Sequence, residues 1–163
     1  MVKFFTLALT FLLSFQASFS QLSLHDIEST TKVTVDEFVE LLLSKGFVVK
    51  SRQDKIGTTM YLDYPKLNGD LRVEYSKFEE NIEWGFCFDK RFNSNFLIIA
   101  NAIKKKYKKV NFFYSNNYHH YVTEYKIGDN YFFVGRRPYF NDADQKIGEY
   151  GVIYLTNNYS LFH

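Results

Sequence analysis

Four sets of side chains in this sequence carry reactive or ligating groups, and their spacing decides what each can do. His119 and His120 are adjacent imidazoles, but neighbours in a strand point to opposite faces, so the pair does not converge on one metal ion. The run 141–144 opens like a calcium loop. Ile147 then stands where the sharp-turn glycine belongs, and no glutamate follows at the twelfth position. Cys87 is the only thiol. Glu83 and Asp89 share its face of a predicted strand and raise its pKa, so it reads as a half-buried structural thiol or a partner in an intermolecular disulfide, not as a nucleophile. Glu74, Glu83 and Glu124 are the acids available as an acid and base pair against a glycan, yet carboxylates on wetted strand faces are ordinary when no pocket gathers them. Nucleophile elbow, glycine-rich phosphate loop and metalloprotease helix are all missing from the sequence. No catalytic residue, metal or cofactor is therefore predicted, and the chain reads as a binder more than an enzyme.

Aromatic side chains are in surplus. Five of the 18 Phe fall within the first 20 residues, and the remainder holds 13 Phe, 13 Tyr and one Trp. A small core does not hide so many, and tyrosine suits a wet contact surface because its hydroxyl tolerates water. In the segment 118–127, Tyr121, Tyr125 and Ile127 share one face, while His120, Val122, Glu124 and Lys126 share the other. Tyr131, Phe133 and Tyr154 on later segments are assigned to the same layer as Tyr121. Arg136 and Arg137 stand beside Tyr139 and Phe140 as a binding rim, since aromatic and arginine side chains dominate interface hot spots. The predicted binding set is Tyr121, Tyr125, Tyr131, Phe133, Arg136, Arg137 and Tyr154. The lysines at 104, 105, 106, 108 and 109 read as a solvated helix end that complements the helix dipole.

The chain begins with Lys3, a twelve-residue apolar run at 4–15 and the small residues Ser18 and Ser20, the pattern of a signal peptide cut after Ser20. Twelve apolar residues fall short of a bilayer span, so a soluble, secreted or periplasmic product without a stable membrane anchor is expected. The remaining 143 residues carry 19 basic against 18 acidic side chains, because Lys3 leaves with the signal. Near-neutrality gives no footprint for nucleic acid.

Those candidate residues need elements to hold them. A polar leader spans 21–33. Thr34 and Glu37 form a capping box ahead of Val35, Phe38, Val39 and Leu42, one stripe of a helix over 35–45 that Gly46 ends. Strand-like segments follow at 47–53, 58–64, 70–77 and 81–88, separated by turn residues at 54–57, 65–69 and 78–80. A second helix starts from a cap at Asn93 or Ser94 and presents Phe96, Ile99, Ala100, Ile103 and Tyr107 on one face. Four more strand segments lie at 110–115, 118–127, 130–137 and 149–156.

The sum is one α+β domain over 34–163, with an antiparallel sheet of about eight strands and both helices on one face, leaving the other face wet. Its order reads as two helix-plus-four-strand units, 34–90 and 93–157. This order resembles the two-unit layout of secreted bacterial β-lactamase-inhibitor proteins. The resemblance is one of element order alone and carries no residue. The expected function is binding another protein in the manner of an inhibitor or adaptor; the alternatives are a glycan-active enzyme or a small-molecule carrier of the cell envelope.

Overall fold

Two helices open the fold with the same device. Ser23 precedes α1 (Leu24–Ser29) and Thr34 precedes α2 (Val35–Ser44); in each case the cap hydroxyl accepts the third residue's N–H while that residue's carboxylate accepts the cap N–H. In the computed structural model, which describes residues 22–53, 58–63, 71–78, 81–89 and 92–162, α1 lies within the expected leader. Leu22 and Ile27 enter the core there. The predicted signal peptide, the turns at 54–57 and 65–69, residues 79–80 and His163 lie outside the described residues.

Gly46 ends α2 with a φ of 91°. Phe47 N–H then bonds the Leu42 carbonyl at 3.1 Å and Gly46 N–H the Leu43 carbonyl at 2.9 Å, the paired bonds of a Schellman turn, with Phe47 and Leu42 both buried. Helix α3 (Asn93–Lys106), the longest among the described residues, differs from expectation at its start. Its cap is Phe92, without a side-chain bond. Asn93, one of the two expected caps, instead accepts from the Arg136 guanidinium at 2.8 Å, a tertiary contact that draws it away from local capping, and Asn95 donates to the Leu22 carbonyl at 2.8 Å.

The strands are β1 (Val48–Gln53), β2 (Thr58–Asp63), β3 (Leu71–Phe78), β4 (Asn81–Phe88), β5 (Lys109–Ser115), β6 (His120–Ile127), β7 (Asn130–Phe140) and β8 (Lys146–Thr156). They form one antiparallel sheet in the order β1-β2-β3-β4-β8-β7-β6-β5, so the first four strands meet the last four where β4 pairs with β8. The long β7–β8 arm closes through Asn141, whose side chain accepts the N–H of Ala143 and Gln145 at 3.1 and 2.9 Å; the loop is a self-bonded turn.

The three described helices pack on one side of the sheet. Phe38 and Leu42 of α2 and Phe96, Ile99 and Ile103 of α3 share a buried cluster with Leu71, Val73, Tyr75, Trp84, Phe86, Phe88, Tyr125, Phe132, Ile153 and Leu155. Phe38 meets Trp84 edge-on at 4.8 Å. Gly151 makes room for α3: an added Cβ would stand 2.5 Å from Cδ2 of Phe96. The lysine-rich end of α3 is partly committed, since Lys106 Nζ and the Tyr107 hydroxyl reach Glu28 of α1 at 2.7 and 2.6 Å. Among the described residues no helix is long and apolar enough to cross a membrane.

Candidate functional site

The sheet is wider than the helices that cover it. At the β5 end, on the helix side, β5 and β6 present a strip of side chains that no described helix covers. Tyr114 pairs with Tyr121 across the two strands. Val122 pairs with Gly135, which sets Tyr121 beside Arg136, and Arg136 in turn faces Gly151. Phe112 stacks on Tyr121 with ring centres 5.5 Å apart and planes 14° from parallel, and Tyr114 meets Tyr121 edge-on at 5.2 Å. Despite these contacts, Phe112, Tyr114 and Tyr121 remain 56%, 44% and 60% exposed. At roughly 200 Å² per aromatic side chain, about 300 Å² of mutually braced ring surface faces out. The outer edge of β5 is guarded, because Asn111 Oδ1 takes the Phe112 N–H at 2.8 Å and Lys109 Nζ lies 5.5 Å from the Phe112 ring centre. What β5 offers is its ring-bearing face.

Arg136 joins the strip to a cleft. Its guanidinium lies 5.2 Å from the Phe96 ring centre and bonds Asn93 Oδ1, so it is fixed at the start of α3 by stacking and by a hydrogen bond. Beyond it opens a cavity of about 520 Å³ lined by Phe88, Asp89, Asn93, Arg136, Tyr139, Ile147, Gly148 and Glu149. Tyr139 fits there because Gly148 has no side chain; an added Cβ would meet the Tyr139 ring at 2.5 Å. Lys146 bonds the Glu149 carboxylate and holds its pKa below the usual carboxylate range.

The side opposite the helices is not the open aromatic floor that the sequence suggested. Across it the register sets Glu74 beside Gly85, Gly85 beside Tyr154, Tyr154 beside Phe133 and Phe133 beside Glu124. Two pieces of chain cover that row. The turn before β6, with His119 at a φ of 55°, lays Tyr118 over Tyr154, ring centres 4.8 Å apart. Phe162, after the 3-10 turn Tyr159–Leu161, fills the remaining space and is fully buried.

Titratable groups around this cover are shifted by burial. The Tyr118 hydroxyl donates to Glu83 Oε2 at 2.6 Å, and burial pushes the Glu83 carboxyl above its ordinary value despite that bond. Burial, with the charge of Glu74, pushes the Cys87 thiol up to about 12, which removes its nucleophilic form at physiological pH. His120 donates Nδ1–H to the Tyr118 carbonyl at 2.7 Å, and its Nε2 has no partner among the described residues. Burial, reinforced by Arg137 and His119, lowers its pKa. No group of three or more His, Cys, Asp or Glu among the described residues is placed to hold a metal ion.

The seven residues predicted to bind do not share a face. Tyr121, Tyr125 and Arg136 lie on the helix side; Tyr131, Phe133, Arg137 and Tyr154 lie opposite. The cause is the two-residue turn at Gly128–Asp129, which pairs Ile127 with Asn130 and so sets Tyr125 beside Phe132 rather than beside Tyr131 or Phe133. Burial removes three more: Tyr125 is packed under α3, and Phe133 and Tyr154 lie beneath Phe162 and Tyr118. Tyr121 and Arg136 remain together at the strip. Phe112 and Tyr114 were missed, although the alternation Val110, Phe112, Tyr114 marks one face of β5 in the sequence.

In comparisons with known proteins, no family model, no curated protein and no solved structure matches this chain. The resemblance in element order to the β-lactamase-inhibitor proteins therefore lends no residue and no activity to the site.

Proposed function

We propose that this protein is an exported binding protein that engages another protein through the strip formed by Phe112, Tyr114 and Tyr121, with Arg136 and the adjoining cleft as its polar rim. The observation that supports it is the exposed, mutually stacked ring cluster beside a guanidinium already fixed by Phe96 and Asn93. Contiguous apolar surface of this size on a monomer is commonly functional. The rings hold one another, so little rotamer entropy is lost when a partner covers them. Export is the part carried by the basic, apolar and small-residue pattern at 1–20. We further read the strand order, with β1–β4 and β5–β8 meeting at β4 and β8, as two units whose second half contributes the binding edge.

Burial of about 300 Å² supplies only part of the roughly 800 Å² that each partner contributes to a standard interface. The rings would form its centre, and the surrounding surface the rim. The test uses protein secreted by the cells that make it, with partner recovered by affinity capture and then purified. F112A and Y121A should each weaken binding about 30-fold, the equivalent of a 2 kcal/mol hot spot. Y131A, on the other side of the sheet, should leave it unchanged. Equal losses in all three, or no loss in F112A and Y121A, refutes the strip as the binding surface. If the recovered ligand is a glycan, the same substitutions decide whether it shares the strip.

A further inference from the structure

The described helices stop short of the sheet's β5 edge. Helix α3 is seated over β8 and β7, with Phe96 against Gly151 and, just past its end, Tyr107 against Phe132 at 5.5 Å. Strands lie about 4.8 Å apart and packed helices about 8–10 Å apart, so one helix covers two strands. The next place in the layer therefore falls over β6 and β5. That is where Phe112, Tyr114 and Tyr121 stand exposed, with half-buried Thr123 paired between Phe112 and Val134 as the floor.

Helix α3 forms one wall of this place. The bond from Arg136 to Asn93 marks the side of α3 that looks toward β6 and β5, while Asn95 and Lys106 mark the other side by their bonds to Leu22 and Glu28. Leu97, Ala100 and Lys104 follow Asn93 at i+4, i+7 and i+11, on the same side of the helix. Leu97 is 42% exposed, and Lys104 is exposed as well. On the opposite wall Lys109 pairs with Tyr125, which places it on the helix side of β5, and its Nζ lies 5.5 Å from the Phe112 ring centre. An apolar trough thus carries an ammonium group on each wall at the end where α3 runs out, and the Arg136 guanidinium at the other end.

The charge around the trough is one-sided. Residues 90–123, which include α3 and β5, hold seven of the chain's 20 Lys and Arg side chains and none of its 18 Asp and Glu. Lys106 is matched by Glu28. Among the described residues no ion pair holds Lys104, Lys105, Lys108 or Lys109. Cations gathered beside an apolar face, without carboxylates from their own segment, favour a partner that supplies them.

We propose that the strip receives an acidic amphipathic helix of a partner protein, laid beside α3 over β5 and β6. Its apolar stripe would cover Phe112, Tyr114 and Tyr121, and its carboxylates would meet Lys104 and Lys109. The inference rests on the strip being a binding surface and adds what binds there. Recognition of this kind reads apolar anchors at i, i+3, i+4 and i+7. From Asn93 to Lys104 the wall runs about 16 Å, so about three turns of partner helix span it.

The probe is a synthetic peptide of about four helical turns with leucine at i, i+3, i+4 and i+7 and glutamate at the flanking positions; a second peptide carries lysine in place of each glutamate. Fluorescence anisotropy at low salt should show the parent binding the glutamate peptide at least about tenfold more tightly than the lysine peptide. The double variant K104E/K109E should reverse the preference, because two exposed charge pairs change from attraction to repulsion. F112A should weaken the glutamate peptide. A glutamate peptide that the parent ignores, or that parent and K104E/K109E bind equally, overturns the proposal. With the partner recovered by capture, loss of binding in F112A but none in K104E/K109E overturns the acidic helix and leaves the strip standing, whereas no loss in either removes the strip itself. Vesicles of phosphatidylcholine and phosphatidylglycerol that bind the parent more tightly than the glutamate peptide does, and that F112A releases, would assign the strip to a lipid surface and overturn the partner helix.

Discussion

Gly151→Ala tests how α3 is seated and, through it, how Arg136 is held. An added Cβ would meet Cδ2 of Phe96 at 2.5 Å and Cδ1 at 2.6 Å. Ordinary contact begins near 3.5 Å, so the ring must retreat by about an ångström, against Phe88 on one side and the Arg136 guanidinium on the other. Overpacking of this kind costs roughly 1–3 kcal/mol, offset by the roughly 0.5–1 kcal/mol that alanine gains over glycine in a strand. The net loss is about 1–2 kcal/mol, a fall in Tm of about 3–8 °C for a domain of this size. Gly85→Ala is the matched control: its Cβ would stand 3.5 Å from the Tyr154 ring and 3.6 Å from Glu74 Cβ, in ordinary contact. Gly85→Ala should therefore be neutral or stabilising by up to about 0.5–1 kcal/mol. Thermal melts of the two variants beside the parent decide the matter. Equal shifts, or a Gly151→Ala protein as stable as the parent, would refute the placement of Phe96 against β8.

Two further outcomes follow from the groups on the far side. The pKa of His120 is lowered in the fold, so below its ordinary value of 6.5 the unfolded chain gains a proton that the folded chain refuses; stability should fall as pH drops from 7.5 to 5.5, with a slope of up to about 1.4 kcal/mol per pH unit. Urea midpoints of the parent and of His120→Gln should diverge over that window, and parallel curves would show that the imidazole is not refusing the proton. Cys87, partly buried and with its thiol pushed up to about 12, should react slowly with Ellman's reagent at pH 8 in the folded protein and fully in 6 M guanidinium; equally fast labelling of the folded chain would contradict the raised pKa assigned to it.

What the sequence disclosed, and what it hid, follows from the range of the interactions involved. The α2 cap at Thr34 and Glu37, its stop at Gly46 and the alternation of Leu71, Val73 and Tyr75 are local, and each is legible from residues within one or two turns. The start of α3 was misplaced because Asn93 acts over long range, on Arg136, where no local rule sees it. The candidate residues divide between two faces for a more instructive reason. Knowing that Tyr121 and Tyr125 share a face, and that Tyr131 and Phe133 do, leaves open which faces coincide until the hairpin register is known, and one residue of slip exchanges them. The Gly128–Asp129 turn carried that register in plain view: a two-residue connection pairs Ile127 with Asn130, sets Tyr125 beside Phe132 and sends Tyr131 to the other side. Extending the same parity through Val122 and Gly135 brings Tyr121 to Arg136, and through the β5 pairing brings Phe112 and Tyr114 to Tyr121. The strip was thus derivable from turn chemistry. The cover over Phe133 and Tyr154 was not, because it depends on Tyr118 reaching Glu83, 35 positions away, and on Phe162 returning to β7, and neither contact leaves a periodic mark in the chain.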